Sequence, residues 1–304
     1  MGFEDGNTPK ISTPRSLSAG KWDHVGVQAL VLGTAQWGNP YGVTNRHGRL
    51  SDEAIAEIID VAREADIQAV DTASRYGDAE SRLHPWARQF TVTTKVRGSG
   101  AQPIAQQLAA SLASLGVERV HACLLHDWPT LTQREAAGAV RQLRALQDAQ
   151  LVTAVGVSAY DDDELGRALA AFGTVDVVQV PVNALDQRLT RSRALQLIAE
   201  QGAEIQARSV FLQGLLAERS TTALGQHPDV VRFHDSCEEV GQRPLAAALA
   251  HLKGLDWVSE VIVGVTSAAE LGEIADAWQR TEAEPLMAEW ESHDMAQIEP
   301  RQWE

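Results

Sequence analysis

Short apolar runs of strand length alternate with longer segments of helical period eight times between residues 27 and 278, and this alternation constrains the fold more than any other feature. The runs are ALVLGT, QAVDT, FTVTTK, HACLLH, TAVGVS, DVVQV, EIQARS and EVIVGV. Segments with helical character fall at 51–65, 79–88, 102–115, 132–149, 161–172, 190–201, 244–253 and 267–278. Strands separated by helices belong to parallel sheets, and eight such units are enough to close a sheet on itself. The expected class is therefore α/β, a (β/α)8 TIM barrel. Residues 26–304 are expected to form one barrel domain with a C-terminal extension from about residue 282, behind a flexible tail over 1–25. Helix starts agree with this: Ser51 precedes Asp52 and Glu53, and Ser267 precedes Glu270 at capping-box spacing. QPIAQQLAASLASL carries an apolar stripe suited to packing on a barrel.

In such a barrel the loops after the strands gather at one mouth. Four polar residues stand there in order: Asp71 ends the second run, Tyr76 lies five residues on, Lys95 ends the third and His126 the fourth. Each alone has a structural explanation, as a cap, a packing ring, a solvated strand end or a satisfied core histidine. Together they compose a proton-donating site. An ammonium beside a phenol stabilises phenolate, so a Tyr of ordinary pKa about 10 is expected to become usable near neutral pH, with Asp71 orienting Lys95 and His126 orienting a carbonyl.

The formal charge of −15, from 26 Lys and Arg against 41 Asp and Glu, leaves no basic face for nucleic acid. Two cysteines form neither a disulfide framework nor a metal-ligand spacing, so no metal is expected and a reducing, cytoplasmic compartment is. No run reaches the roughly 18 apolar residues of a membrane span, and the N-terminal stretch lacks a signal-peptide core. The expected partner is a small-molecule carbonyl compound, and the expected state a monomer or weak homo-oligomer.

The quartet, in this order, resembles that of the aldo-keto reductases, and the resemblance runs from 27 to 278. LVLGTAQWG is similar to the family's first strand, with Gly33 and Thr34 near the cofactor; DTASRYGDAE is similar to its Asp-to-Tyr segment and LLHDWP to its His strand. VGVSAY and VVQVPVNALDQR resemble the segments whose Ser158 and Gln179 positions hold the nicotinamide carboxamide. ARSVFLQGLL resembles the pyrophosphate loop, which puts Ser209, Leu212 and Gln213 at cofactor contacts, and VIVGVTSAAELGEI the adenosine-binding segment, with Gly264, Thr266 and Ser267. The resemblance implies an NAD(P)H-dependent enzyme that reduces an aldehyde or ketone to an alcohol, with Asp71, Tyr76, Lys95 and His126 as catalytic residues. Two other classes stay open: a non-redox isomerase or lyase, and a nucleotide-binding regulatory subunit.

The chain departs from the family pattern in places. Ala159 replaces an Asn beside Ser158, and Arg208 stands where a Tyr usually stacks on the nicotinamide ring; a planar guanidinium can also stack. With GTAQWGNPYGVTN and RSVFLQG, this detail resembles a branch found among nucleotide-sugar and polysaccharide biosynthesis proteins. Family members that prefer NADPH grip its 2′-phosphate with Lys or Arg just after the last strand, whereas here no basic residue occurs between Lys253 and Arg280. NADP(H) and NAD(H) are both expected as candidates. Trp37 and Trp128 are expected to wall the substrate, with Tyr41 nearby, and Arg75, Arg46 and Arg49 to offer charge to an anionic one.

Overall fold

A computed structural model describes residues 28–284 and 287–303; the expected N-terminal tail over 1–25 lies outside them. Eight parallel strands close in sequence order, each hydrogen-bonded to the next and β8 to β1. They are β1 (Ala29–Gly33), β2 (Ala69–Asp71), β3 (Thr91–Val96), β4 (Val120–Leu125), β5 (Val152–Ser158), β6 (Val177–Pro181), β7 (Glu204–Arg208) and β8 (Glu260–Gly264). The helices in chain order are α1 (Ala35–Gly38), α2 (Asp52–Glu64), α3 (Ala79–Leu83), α4 (Ile104–Leu115), α5 (Gln133–Asp148) and α6 (Asp162–Phe172). They continue with α7 (Arg193–Glu200), α8 (Pro228–Glu239), α9 (Pro244–Lys253), α10 (Ala268–Arg280) and α11 (Met295–Ile298). The (β/α)8 barrel expected from the alternation is the fold.

Local chemistry explains the element ends. The Ser51 hydroxyl accepts from the Ala54 N–H at the start of α2, and the Thr132 and Glu135 side chains cap α5 reciprocally. At α10 the Ser267 hydroxyl accepts from the Glu270 N–H as expected, but the Glu270 carboxylate goes to Thr266 instead of closing the box. Two expected helices are broken. Residues 79–88 form α3 and then a separate 3-10 turn, Ala87–Gln89, and residues 190–201 begin with another, Arg188–Arg191, before α7. Pro85 accounts for the first break, since it has no N–H to donate within a helix and its ring crowds the carbonyl one turn back.

Apolar side chains on the outward face of the strands pack against the helices, as Val70, Val155 and Val178 do, all buried. Inside the barrel a small apolar layer of Ala122, Leu124, Ala154 and Val177 lies beneath polar neighbours. Those neighbours satisfy one another across the barrel: Gln179 Nε2 donates to Asp71 Oδ1 at 2.8 Å and to Gln206 Oε1 at 3.0 Å, and Gln206 Nε2 donates to Glu260 Oε2 at 2.7 Å. Gly156 on β5 is required by close approach, because a Cβ there would lie 1.7 Å from the Val177 carbonyl oxygen.

His251 on α9 is 1% exposed, and neither ring nitrogen has a hydrogen-bond partner among the described residues. Burial pushes its pKa from 6.5 down to about 4. The unfolded chain therefore binds a proton below about pH 6.5 that the native state refuses until about pH 4, so acid costs native stability through that window. For one group the slope is about 1.4 kcal/mol per pH unit. His251→Leu is expected to lose less Tm than the parent between pH 6.5 and 4 in thermal melts, and parallel losses would contradict this assignment.

Candidate active site

The carboxyl ends of the strands surround a cavity of about 540 Å³. Asp71 ends β2, Lys95 lies next to the end of β3, and His126 directly follows β4, so parallel strands bring all three to the carboxyl end of the barrel. Tyr76 sits on the loop after β2, pinned by the loop after β1. A Cβ at Gly38 would lie 1.8 Å from the Tyr76 carbonyl oxygen, and Gly77, at φ +59°, packs on the Gly38 carbonyl. Neither glycine has room for a side chain, so the two loops can meet backbone to backbone.

Lys95 and Asp71 are 1% and 4% exposed. Lys95 Nζ donates to Asp71 Oδ1 at 2.6 Å, Asp71 Oδ2 at 2.7 Å and the Thr72 carbonyl at 3.0 Å, and it lies 3.2 Å from Tyr76 Oη. The Tyr76 and His126 rings meet edge to face, centroids 5.8 Å apart. Asp71, Tyr76 and His126 line the cavity, and Lys95 lies behind them.

The electrostatics differ from the sequence expectation at one point. Burial pushes the Tyr76 phenol up, and this outweighs the lowering by the Lys95 ammonium, so Tyr76 sits above its ordinary value instead of near neutrality. Burial opposes the charge on Lys95, yet Asp71 and Tyr76 hold its pKa above the usual range. His126 is pushed down to about 3, first by burial and then by Lys95, Arg208 and Arg75, so its imidazole is neutral at pH 7. The site thus presents a phenol loaded with its proton, an ammonium in contact with it and a neutral imidazole beside it.

Of the residues expected at a cofactor, Gly33, Ser158, Gln179 and Arg208 line the cavity, as do Ser209, Gln213, Gly264 and Thr266. Thr34, Leu212 and Ser267 do not; Thr34 donates to the Asp71 carbonyl and so braces the site from below. The loop after β7 takes left-handed backbone at Ser209, Leu212 and Gln213. Its Val210, Phe211 and Gln213 N–H groups have no partner among the described residues, while all three residues line the cavity. Unspent amides turned by left-handed residues suit an anion such as a pyrophosphate, so this loop fits a dinucleotide.

Trp37 and Trp128 do not wall the cavity. Both are fully buried and absent from its lining; Trp128 Nε1 donates to the Glu164 carbonyl at 2.9 Å and its ring packs against Phe172. Large flat side chains on short turns pack downward where apolar contact is available. Tyr41 does line the cavity, as does Arg75, whereas Arg46 and Arg49 do not and Arg49 is ion-paired with Asp78. Sequence reasoning missed Tyr160 and Arg301. Both face the cavity, the Tyr160 ring held between the guanidinium carbons of Arg208 at 4.0 Å and Arg301 at 3.8 Å.

A family model, "Aldo/keto reductase family", matches residues 29–294. The chain belongs to the aldo/keto reductase family. It is an NAD(P)-dependent oxidoreductase acting on carbonyl compounds. Among characterised relatives, a D-threo-aldose 1-dehydrogenase from a Pseudomonas species is 26% identical over 313 residues, spanning 86% of this chain and 92% of the relative. The holo form of an aldo-keto reductase from Bacillus halodurans superposes with a TM-score of 0.69 at 19% identity, covering 88% of this chain and 92% of that one. Among the described residues no helix is long and apolar enough to cross a membrane.

Proposed function

We propose that this aldo/keto reductase converts a sugar-derived aldehyde or ketone to the alcohol, with Tyr76 as general acid and NADH as the better-matched reductant. The observation that carries this reading is the Lys95 ammonium held by both Asp71 oxygens while touching Tyr76 Oη. When bound in this cavity, a reduced nicotinamide would supply the hydride for the carbonyl carbon. The Tyr76 hydroxyl gives its proton to the carbonyl oxygen, and Lys95 stabilises the phenolate left on Oη. Neutral His126 orients the carbonyl by hydrogen bonding and carries no charge of its own to the site. Sugars enter the substrate class through the relative that is a D-threo-aldose 1-dehydrogenase.

The preference for NADH rests on the segment after β8. The Thr266 N–H and hydroxyl both donate to Glu270 Oε2, at 2.7 and 3.0 Å, and the Ser267 hydroxyl caps α10. The lining there offers a carboxylate and no Lys or Arg between 253 and 280, a poor match for a 2′-phosphate dianion. Fluorescence titration with each reduced cofactor tests both parts. NADH is expected to bind more tightly than NADPH, and Glu270→Gln is expected to narrow the gap. Equal binding or tighter binding of NADPH would overturn the cofactor choice, and failure of both cofactors to bind would overturn the whole reading.

A further inference from the structure

In a chain with 41 acidic side chains against 26 Lys and Arg, most guanidinium groups find a carboxylate. Two on the cavity lining do not. Arg75 lies on the loop between Asp71 and Tyr76, is exposed, and makes no hydrogen bond or ion pair with any described residue. Arg208, at the end of β7, stacks on Tyr160, and among the described residues its nitrogens reach only Ser209 Oγ and the Ala159 carbonyl, both at 3.4 Å.

Every other cation at the cavity is spoken for. Asp71 neutralises Lys95, Asp127 lies 3.5 Å from Arg97, and Glu299 and Glu164 hold Arg301. The cavity carboxylates are likewise engaged: Asp127 accepts from the Gly98 and Ser99 N–H groups, and Glu270 from Thr266. What is left over near the reacting groups is positive. Arg75 and Arg208 both act on His126, which locates their combined field at the carbonyl-orienting residue.

We infer that the carbonyl compound taken by this site carries a carboxylate, received by the Arg75 guanidinium within the field of Arg208. A planar guanidinium pairs with a carboxylate through two parallel hydrogen bonds, and a single one matches a monoanion. Arg75 adjoins Tyr76 in sequence, so the same loop would present the proton donor and the anion receiver, fixing the carbonyl relative to the carboxylate. This inference rests on the carbonyl-reductase reading and names the substrate class within it.

The test compares 4-carboxybenzaldehyde with its neutral methyl ester, methyl 4-formylbenzoate, at saturating reduced cofactor. The parent enzyme is expected to favour the acid by tenfold or more in kcat/KM. Arg75→Gln should bring that ratio toward one through the KM of the acid, with cofactor affinity retained, and Arg75→Lys should recover part of it. Equal reduction of both aldehydes by the parent, or a ratio that survives Arg75→Gln, would overturn the inference and leave the reductase reading standing. Reduction of neither aldehyde by enzyme that binds cofactor normally would overturn both.

Discussion

Tyr76→Phe is expected to lower kcat for carbonyl reduction by about 10²- to 10⁴-fold, the usual contribution of a positioned general acid, while the dissociation constant for reduced cofactor stays within about twofold. The substitution deletes Oη and keeps the ring, so the edge-to-face contact with His126 and the packing against Gly38 survive. What disappears is the one hydroxyl 3.2 Å from the Lys95 ammonium. Because burial keeps the phenol protonated well above neutral pH, no other cavity group replaces it readily: His126 holds no extra proton above about pH 3, and Asp71 is committed to Lys95 and Gln179. Steady-state rates on a simple aldehyde, with cofactor titrations on the same preparations, check this. A Phe variant that retains the parent rate would contradict the assignment of Tyr76.

The barrel and the quartet were legible for the same reason. Strand-length runs alternating with helical segments admit few closed topologies, and once the sheet closes in sequence order, residues at successive strand ends must converge. Asp71, Lys95 and His126 needed only that rule, and Tyr76 only a short loop. Depth was not legible. Nothing in the residue types around Tyr76 shows how completely it is desolvated, and burial reverses the expected sign of its shift. Trp37 and Trp128 failed likewise, since loop position does not tell whether a large ring turns up to the mouth or down into the core. Tyr160 and Arg301 were hidden because their pairing joins the loop after β5 to the C-terminal turn, a contact with no local signature. The stretch 217–242, which carried no readable motif, holds α8, whose start is marked by Pro228 and by the His227 side chain accepting from the Asp229 N–H.

Lys95→Met is expected to slow turnover more than Asp71→Asn, and the two are expected to change the pH profile in different ways. With Met at 95 the phenolate loses its stabilising charge, the Tyr76 pKa rises further, and the rate is low at every pH. With Asn at 71 the ammonium stays buried but loses its carboxylate, so its pKa falls and the enzyme loses activity at a lower pH than the parent. Stability separates the variants too: Met at 95 strands a buried carboxylate, and breaking a buried pair on one side typically costs about 3–5 kcal/mol, so thermal melts must confirm that each variant is folded at the assay temperature. The effects should not add, because the double variant removes a pair that acts as a unit.

Central to the proposed chemistry is the support that the Asp71–Lys95 pair gives to proton donation by Tyr76. Its most direct test is single-turnover hydride transfer at saturating reduced cofactor, followed from pH 6 to 10 in the parent, Lys95→Met and Asp71→Asn. The expected result is a parent rate that holds through neutral pH, a uniformly depressed rate in Lys95→Met, and an alkaline decline that begins earlier in Asp71→Asn. A Lys95→Met rate equal to the parent's, or an Asp71→Asn profile that overlays the parent's after scaling, would contradict it.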